Sequence, residues 1–262
     1  MIEALLTAGV ITLGLATSYE DIKTGKIRNS ITATAITYGI LLNYASYFFS
    51  WMPDRGIEYT INLAVSALAG YLIWSRKLWS AGDGKLFIAF ASLIPLSAYE
   101  YWKMPYFQSL ILLLNTFAIL FTALLAKSIN KKCFMDALKD AKELGAGFLT
   151  KTIITITGMY WLIGKLPVES MPARYCITAF AVILLQSYLK KSYVYAGAML
   201  LAVRTLEGIP AGFLAQTAWM TMLFIIFKFT GMMMDEIEEK DFPFAVYLTA
   251  GALLTLICGF LL

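Results

Sequence analysis

The sequence predicts an all-α, polytopic integral membrane protein of about nine or ten transmembrane helices. Three observations predict it. Of the 262 residues, 60% are hydrophobic and only 15% charged, against roughly 25% charged in an ordinary soluble domain. The mean hydropathy is +0.71, and the apolar residues come in repeated blocks. The basic residues also sort between alternate loops. With the N-terminus outside, 16 Lys and Arg fall on the cytoplasmic side, and five (Arg55, Lys103, Lys165, Arg174, Arg204) fall outside. That is the asymmetry of the positive-inside rule, and it puts both Asp21 and Asp83 at the cytoplasmic face of the cell membrane.

The first apolar block runs from about Leu5 to Ser18. Met1-Ile2-Glu3-Ala4 lacks the basic start of a cleavable signal peptide, so this block is expected to be a retained span. A basic turn with Lys23, Lys26 and Arg28 follows, then a span over about Ile31 to Trp51 and a turn at Pro53-Asp54-Arg55-Gly56. The third span covers Ile57 to Trp74. The Asp83 loop precedes a fourth span from about Leu86 to Ala98, and a fifth runs from Phe107 to Ala126. Residues 127–150 change character: Phe134, Leu138, Ala141, Leu144 and Phe148 share one helical face, with Asp136, Lys139, Asp140, Lys142 and Glu143 opposite. That pattern suits an amphipathic surface helix or a solvated linker helix equally. Further spans are expected near 151–164, 175–189, 193–206 (short enough to be re-entrant) and 212–230. A last span reaches Leu262. The implied organisation is a core over 1–126, a linker over 127–150, additional spans over 151–240 and a closing helix over 241–262.

Composition excludes several chemistries. There is no histidine, which removes Ser-His and Cys-His triads, HExxH zinc sites and histidine proton relays. Cys133, Cys176 and Cys258 are too scattered for a metal knuckle or a disulfide framework. No metal or cofactor is expected. The net charge of +4 suits a protein bordering anionic lipid and gives no nucleic-acid signature. Oligomeric state is left open.

Hydrolysis is then left to carboxylates, Lys, Tyr or Ser. Two acids stand out: Asp21, at the end of the first apolar block, and Asp83, between two glycines in Ser80-Ala81-Gly82-Asp83-Gly84-Lys85. Two carboxyls a few ångströms apart cannot both ionise cheaply, so a close pair shares a proton. One member then serves as general base toward water while the other donates to a carbonyl oxygen. Each acid also has a plain structural reading. Asp21 can end a span and pair with Lys23 or Lys26, and Asp83 can cap a helix or a turn.

The contexts of these acids resemble the GxGD membrane aspartyl proteases, specifically the prepilin and preflagellin (archaellin) peptidases. The family's first acid lies in a segment like D-x-x-x-x-x-I-P-N, matched here by Asp21-Ile22-Lys23-Thr24-Gly25-Lys26-Ile27-Arg28-Asn29. Its second lies in G-x-G-D-x-K before an apolar helix, matched by Ser80 to Lys85. Pro243-Phe244, followed by Ala250-Gly251-Ala252-Leu253-Leu254, is similar to the family's closing helix. Two positions depart: Ser80 stands at the first Gly, a problem only where φ must be positive, and Arg28 stands at the Pro.

The resemblance covers roughly residues 1–125 and 241–262. It implies catalytic Asp21 and Asp83, with Ser80, Gly82, Gly84 and Lys85 shaping the site. The implied activity is removal of the short basic leader, a class III signal peptide, from prepilin- or preflagellin-like precursors at the cytoplasmic face. Glu20, Glu236, Glu238 and Glu239 are candidates for an acidic surface facing that leader. Lys85 either tunes Asp83 or belongs to the positive-inside bias. Bacterial relatives often carry a cytoplasmic cysteine-rich zinc segment and methylate the new terminus; this chain lacks that cysteine set, so methyl transfer is not carried over. Two other readings stay open: a transporter using interfacial carboxylates, and a non-catalytic relative.

Overall fold

A computed structural model describes residues 2–49, 53–75, 79–102, 106–128, 145–165, 174, 177, 178, 181, 182, 193–207 and 243–261. Among the described residues there are eight α-helices, one 3-10 helix and no strand. The helices are α1 (Ile2–Thr24), α2 (Asn29–Phe49), α3 (Pro53–Ser75), α4 (Ala81–Leu93), α5 (Ser109–Ser128), α6 (Gly145–Ile163), α7 (Tyr193–Glu207) and α8 (Phe244–Leu261); the 3-10 turn is Leu96–Trp102. The expected span near 212–230, and most of the expected span near 175–189 and of the 127–150 segment, lie outside the described residues. The chain forms two compact units, Met1–Leu120 with Ile237–Leu262, and Phe121–Glu236.

In the first unit α4 is the centre. Thirteen residues long, it spans about 20 Å, less than a bilayer core. Asp83, Gly84, Leu86, Phe87 and Ala89 to Leu93 are all buried, and α1, α2, α3 and α8 pack around it. A helix apolar on every side belongs in such a position. Its ends differ from the sequence expectation of a span over Leu86 to Ala98. Ser80 caps the helix, so Asp83 lies in the first turn instead of in a loop. At the far end Ile94 turns out of the helix at φ −71°, ψ 120°, because a residue before proline is pushed toward extended backbone, and Pro95 follows.

Stopping inside the bundle orphans carbonyls that lipid cannot satisfy. Ser92 O accepts from Asn43 Nδ2 of α2 and from Tyr59 Oη of α3, both at 3.0 Å. Close backbone approach makes these bonds possible: a Cβ on Gly39 would lie 2.5 Å from Ser92 O.

The outer helices follow from the same logic. On α1, Leu6, Val10, Leu13, Gly14 and Thr17 form the buried stripe, at the i, i+3/i+4 spacing of one helical face. Leu15, Ile22, Leu41, Phe48, Phe49 and Leu68 face outward and are exposed, while Thr17, Asn43, Asn62, Ser66, Ser92 and Asn115 are buried. Apolar side chains outside and small or hydrogen-bonded polar ones inside suit a hydrocarbon solvent. Two helices, Ile2–Thr24 and Asp54–Ser75, are by length and composition long and apolar enough to cross a membrane.

In the second unit α6 and α7 pair closely. A Cβ on Gly158 would meet Gly197 O at 2.5 Å, and buried Arg204 donates from Nη1 to Thr157 O at 3.1 Å. The segment expected at 193–206 is one continuous helix of 15 residues.

Candidate active site

Asp21 lies on the buried face of α1, one turn beyond Thr17. The helix runs past the expected end at Ser18, through Asp21, and stops at Gly25. There φ is +64°, a backbone conformation that favours glycine, and the Gly25 N–H donates to Asp21 O at 2.8 Å. Asp21 Oδ2 accepts from the Ala245 N–H at 2.9 Å. Ala245 is the second residue of α8, which begins after Pro243. Proline has no side-chain acceptor for the unpaired N–H groups of a helix start, and Asp21 of α1 serves as that acceptor.

Asp83 is held at the start of α4. Its Oδ2 accepts from the Ser80 N–H at 3.0 Å, and its own N–H donates to Ser80 Oγ at 3.2 Å. This is a reciprocal capping box, so the plain reading of Asp83 as a helix-start residue is correct as far as it goes. Asp83 is 9% exposed. Ser80 sits at φ −70°, ψ 162°, which any residue adopts; the serine in place of glycine introduces no strain and adds a cap.

The two motif segments are tied to each other. Lys85 Nζ donates to Asn29 Oδ1 at 2.8 Å, and a Cβ on Gly82 would rest 3.8 Å from Ile27 Cβ. Gly84 does different work: a Cβ there would lie 3.3 Å from Gly70 O, and one on Gly70 would lie 3.1 Å from Gly84 O. It seats the first turn of α4 directly on α3. Below the site, Trp79 packs on Phe87, Phe117 and Phe244 with ring centroids 5.7, 6.0 and 5.0 Å away.

Glu20, a candidate for leader binding, is engaged within its own loop. Its Oε1 lies 2.9 Å from Arg28 Nε and its Oε2 accepts from the Arg28 N–H at 3.3 Å. A proline at position 28 would make neither contact. Glu236, Glu238 and Glu239 lie outside the described residues. Among the described residues no group of three or more His, Cys, Asp or Glu is placed to hold a metal ion.

Asn29, Ile27 and Phe244 lie inside the motifs, and motif spacing is the signal that marks them. Trp79 and Ala245 carry no such signal, because one acts by packing and the other by its main-chain N–H.

A bundle with apolar outer faces and two acids at helix ends on its inner side defines the chain as an all-α membrane protein. Residues 8–127, which contain both acids, match the Type IV leader peptidase family. A curated relative, the prepilin peptidase EppA of Methanothermobacter thermautotrophicus, is 41% identical over 78 residues. The match covers 30% of this chain and 20% of that relative. No solved structure matches the chain.

Proposed function

We propose that this chain is a membrane aspartyl endopeptidase that removes short basic leaders from prepilin- or preflagellin-like precursors, with Asp21 and Asp83 as its catalytic pair. One acid takes a proton from water while the other, protonated, donates to the scissile carbonyl oxygen; the roles exchange as the tetrahedral species collapses. The observation that carries this reading is the bracing of the two acid-bearing segments against each other by Asn29–Lys85 and Ile27–Gly82. Two distant acids at span ends have no need of such bracing unless their relative position matters. The family match over 8–127 and the name of the relative supply the substrate class.

In this reading the N-terminus is outside and the acids face the cytoplasm, where the leader waits while the apolar part of the precursor lies in the membrane. Helix ends at one face, not acids at mid-membrane, favour peptidase over transporter. Co-expression with a prepilin-like precursor tests it. A product shortened at the junction between basic leader and apolar helix is expected, and a precursor with that junction altered should stay uncut. A precursor left intact by abundant, inserted protein, across several leaders, would refute the reading.

A further inference from the structure

We propose that Trp79 is a positioning residue that fixes the spacing between Asp21 and Asp83. The proposal deepens the peptidase reading and rests on it for its kinetic test. Each acid is tethered by a main-chain N–H, Asp21 by Ala245 and Asp83 by Ser80. The relative position of the carboxyls therefore follows the relative position of those two N–H groups. Ser80 is the next residue after Trp79, and Ala245 is the next after Phe244. The Trp79 and Phe244 rings touch, with centroids 5.0 Å apart and planes at 54°. One ring contact thus joins the two tethers, in the order Asp21, Ala245, Phe244, Trp79, Ser80, Asp83.

The indole is clamped on its other sides. Phe87 meets it edge-on and Phe117 stacks on it at 25°, so a displacement of Phe244 is resisted by α4 and α5 together. Trp79 is 4% exposed, and among the described residues its Nε1–H has no hydrogen-bond partner. Burying an unpaired donor is unfavourable, and a phenyl ring would fill an aromatic cluster without that cost. What the position uses is an aromatic ring that joins the Ser80 turn to the first residue of α8.

The test compares Trp79→Leu, Phe244→Leu and Trp79→Phe with the parent. A misplacement of about 1 Å costs on the order of 100-fold in rate. Each Leu variant should therefore lose about that factor in kcat, with KM within about twofold, because the groups that meet the leader are untouched. Trp79→Phe keeps three aromatic contacts and should restore kcat to within about fivefold of the parent.

A second readout needs no activity: paired spin labels at Ala81→Cys and Val246→Cys, with Cys133, Cys176 and Cys258 replaced by alanine. The interlabel distance should be narrow in the parent and in Trp79→Phe, and broad or shifted in the Leu variants. An unchanged distance in a folded Leu variant, or a loss confined to KM, would overturn the clamp. Should Trp79→Leu fail to insert, Phe244→Leu removes the same contact and decides alone. A parent that cleaves nothing refutes the peptidase reading instead, and the spin labels still decide the clamp.

Discussion

Position 80 separates two roles that the structure assigns to one residue. Ser80 holds Asp83 twice: its Oγ accepts from the Asp83 N–H, and its own N–H donates to Asp83 Oδ2. Three substitutions take these apart. Ser80→Gly removes Oγ, keeps the N–H and matches the family motif; at an N-cap this exchange costs only a few tenths of a kcal/mol. Ser80→Ala removes the same oxygen and costs about 1 kcal/mol, a factor of about five in the capped population. Neither breaks the tether on the carboxylate, so cleavage should stay within about threefold in Gly and fivefold in Ala.

Ser80→Pro is different. The observed φ of −70° is the one proline adopts, so position 80 itself accepts the ring, but the N–H is gone. Leaving the buried Asp83 oxygen without this donor costs about 1–3 kcal/mol, or roughly 5- to 150-fold. Initial rates of precursor cleavage in detergent, with near-ultraviolet circular dichroism to confirm folding, give the comparison. Full activity in a folded Ser80→Pro would show that the tether on Asp83 does not matter. A 100-fold loss in Ser80→Gly would show that the hydroxyl enters the chemistry.

Other contacts predict as directly. Gly84→Ala sets a Cβ 3.3 Å from Gly70 O, so the gain of about 0.5–1 kcal/mol that alanine brings to a helix should be cancelled in thermal unfolding in detergent; Gly84→Leu should lose at least about 1–3 kcal/mol. Asn43 and Tyr59 both serve Ser92 O. Asn43→Ala and Tyr59→Phe should each be tolerated, while the double variant loses more than the sum, since only then is the carbonyl abandoned. Asn29→Ala and Lys85→Ala should lower cleavage by similar modest factors, and the double variant by no more than either alone, because they share one bond.

Much of the site could be read from the sequence because motif spacing is local. The Asp21-to-Asn29 stretch, the turn around Asp83 and the Pro243-Phe244 start of the closing helix each lie within nine residues of chain. The bounds of α4 were harder. Asp83 carries a helix-cap signal, but Gly82 and Gly84 on either side of it also read as a turn, which puts the expected start at Leu86; the capping box of Ser80 and Asp83 starts the helix at Ala81 instead. Its end was visible as Ile94-Pro95, but apolar residues on either side hid the stop. Asp21 fell outside the expected span because Glu20 and Lys23 break the apolar run without breaking the helix, which ends only where Gly25 turns. Trp79, Asn43 and Tyr59 carry no local signal, since what they do depends on which helix lies opposite.

The most direct measurement is single-turnover cleavage of a purified prepilin-like precursor by the parent, Asp21→Asn and Asp83→Asn, each reconstituted in lipid and checked for thermal stability. An asparagine side-chain oxygen can still accept from the Ala245 or Ser80 N–H, so both variants should melt within a few degrees of the parent. The dyad predicts cleavage by the parent and a loss of at least about 1,000-fold in each variant, as expected when either half of an acid–base pair is removed. Substantial cleavage by either variant would contradict it.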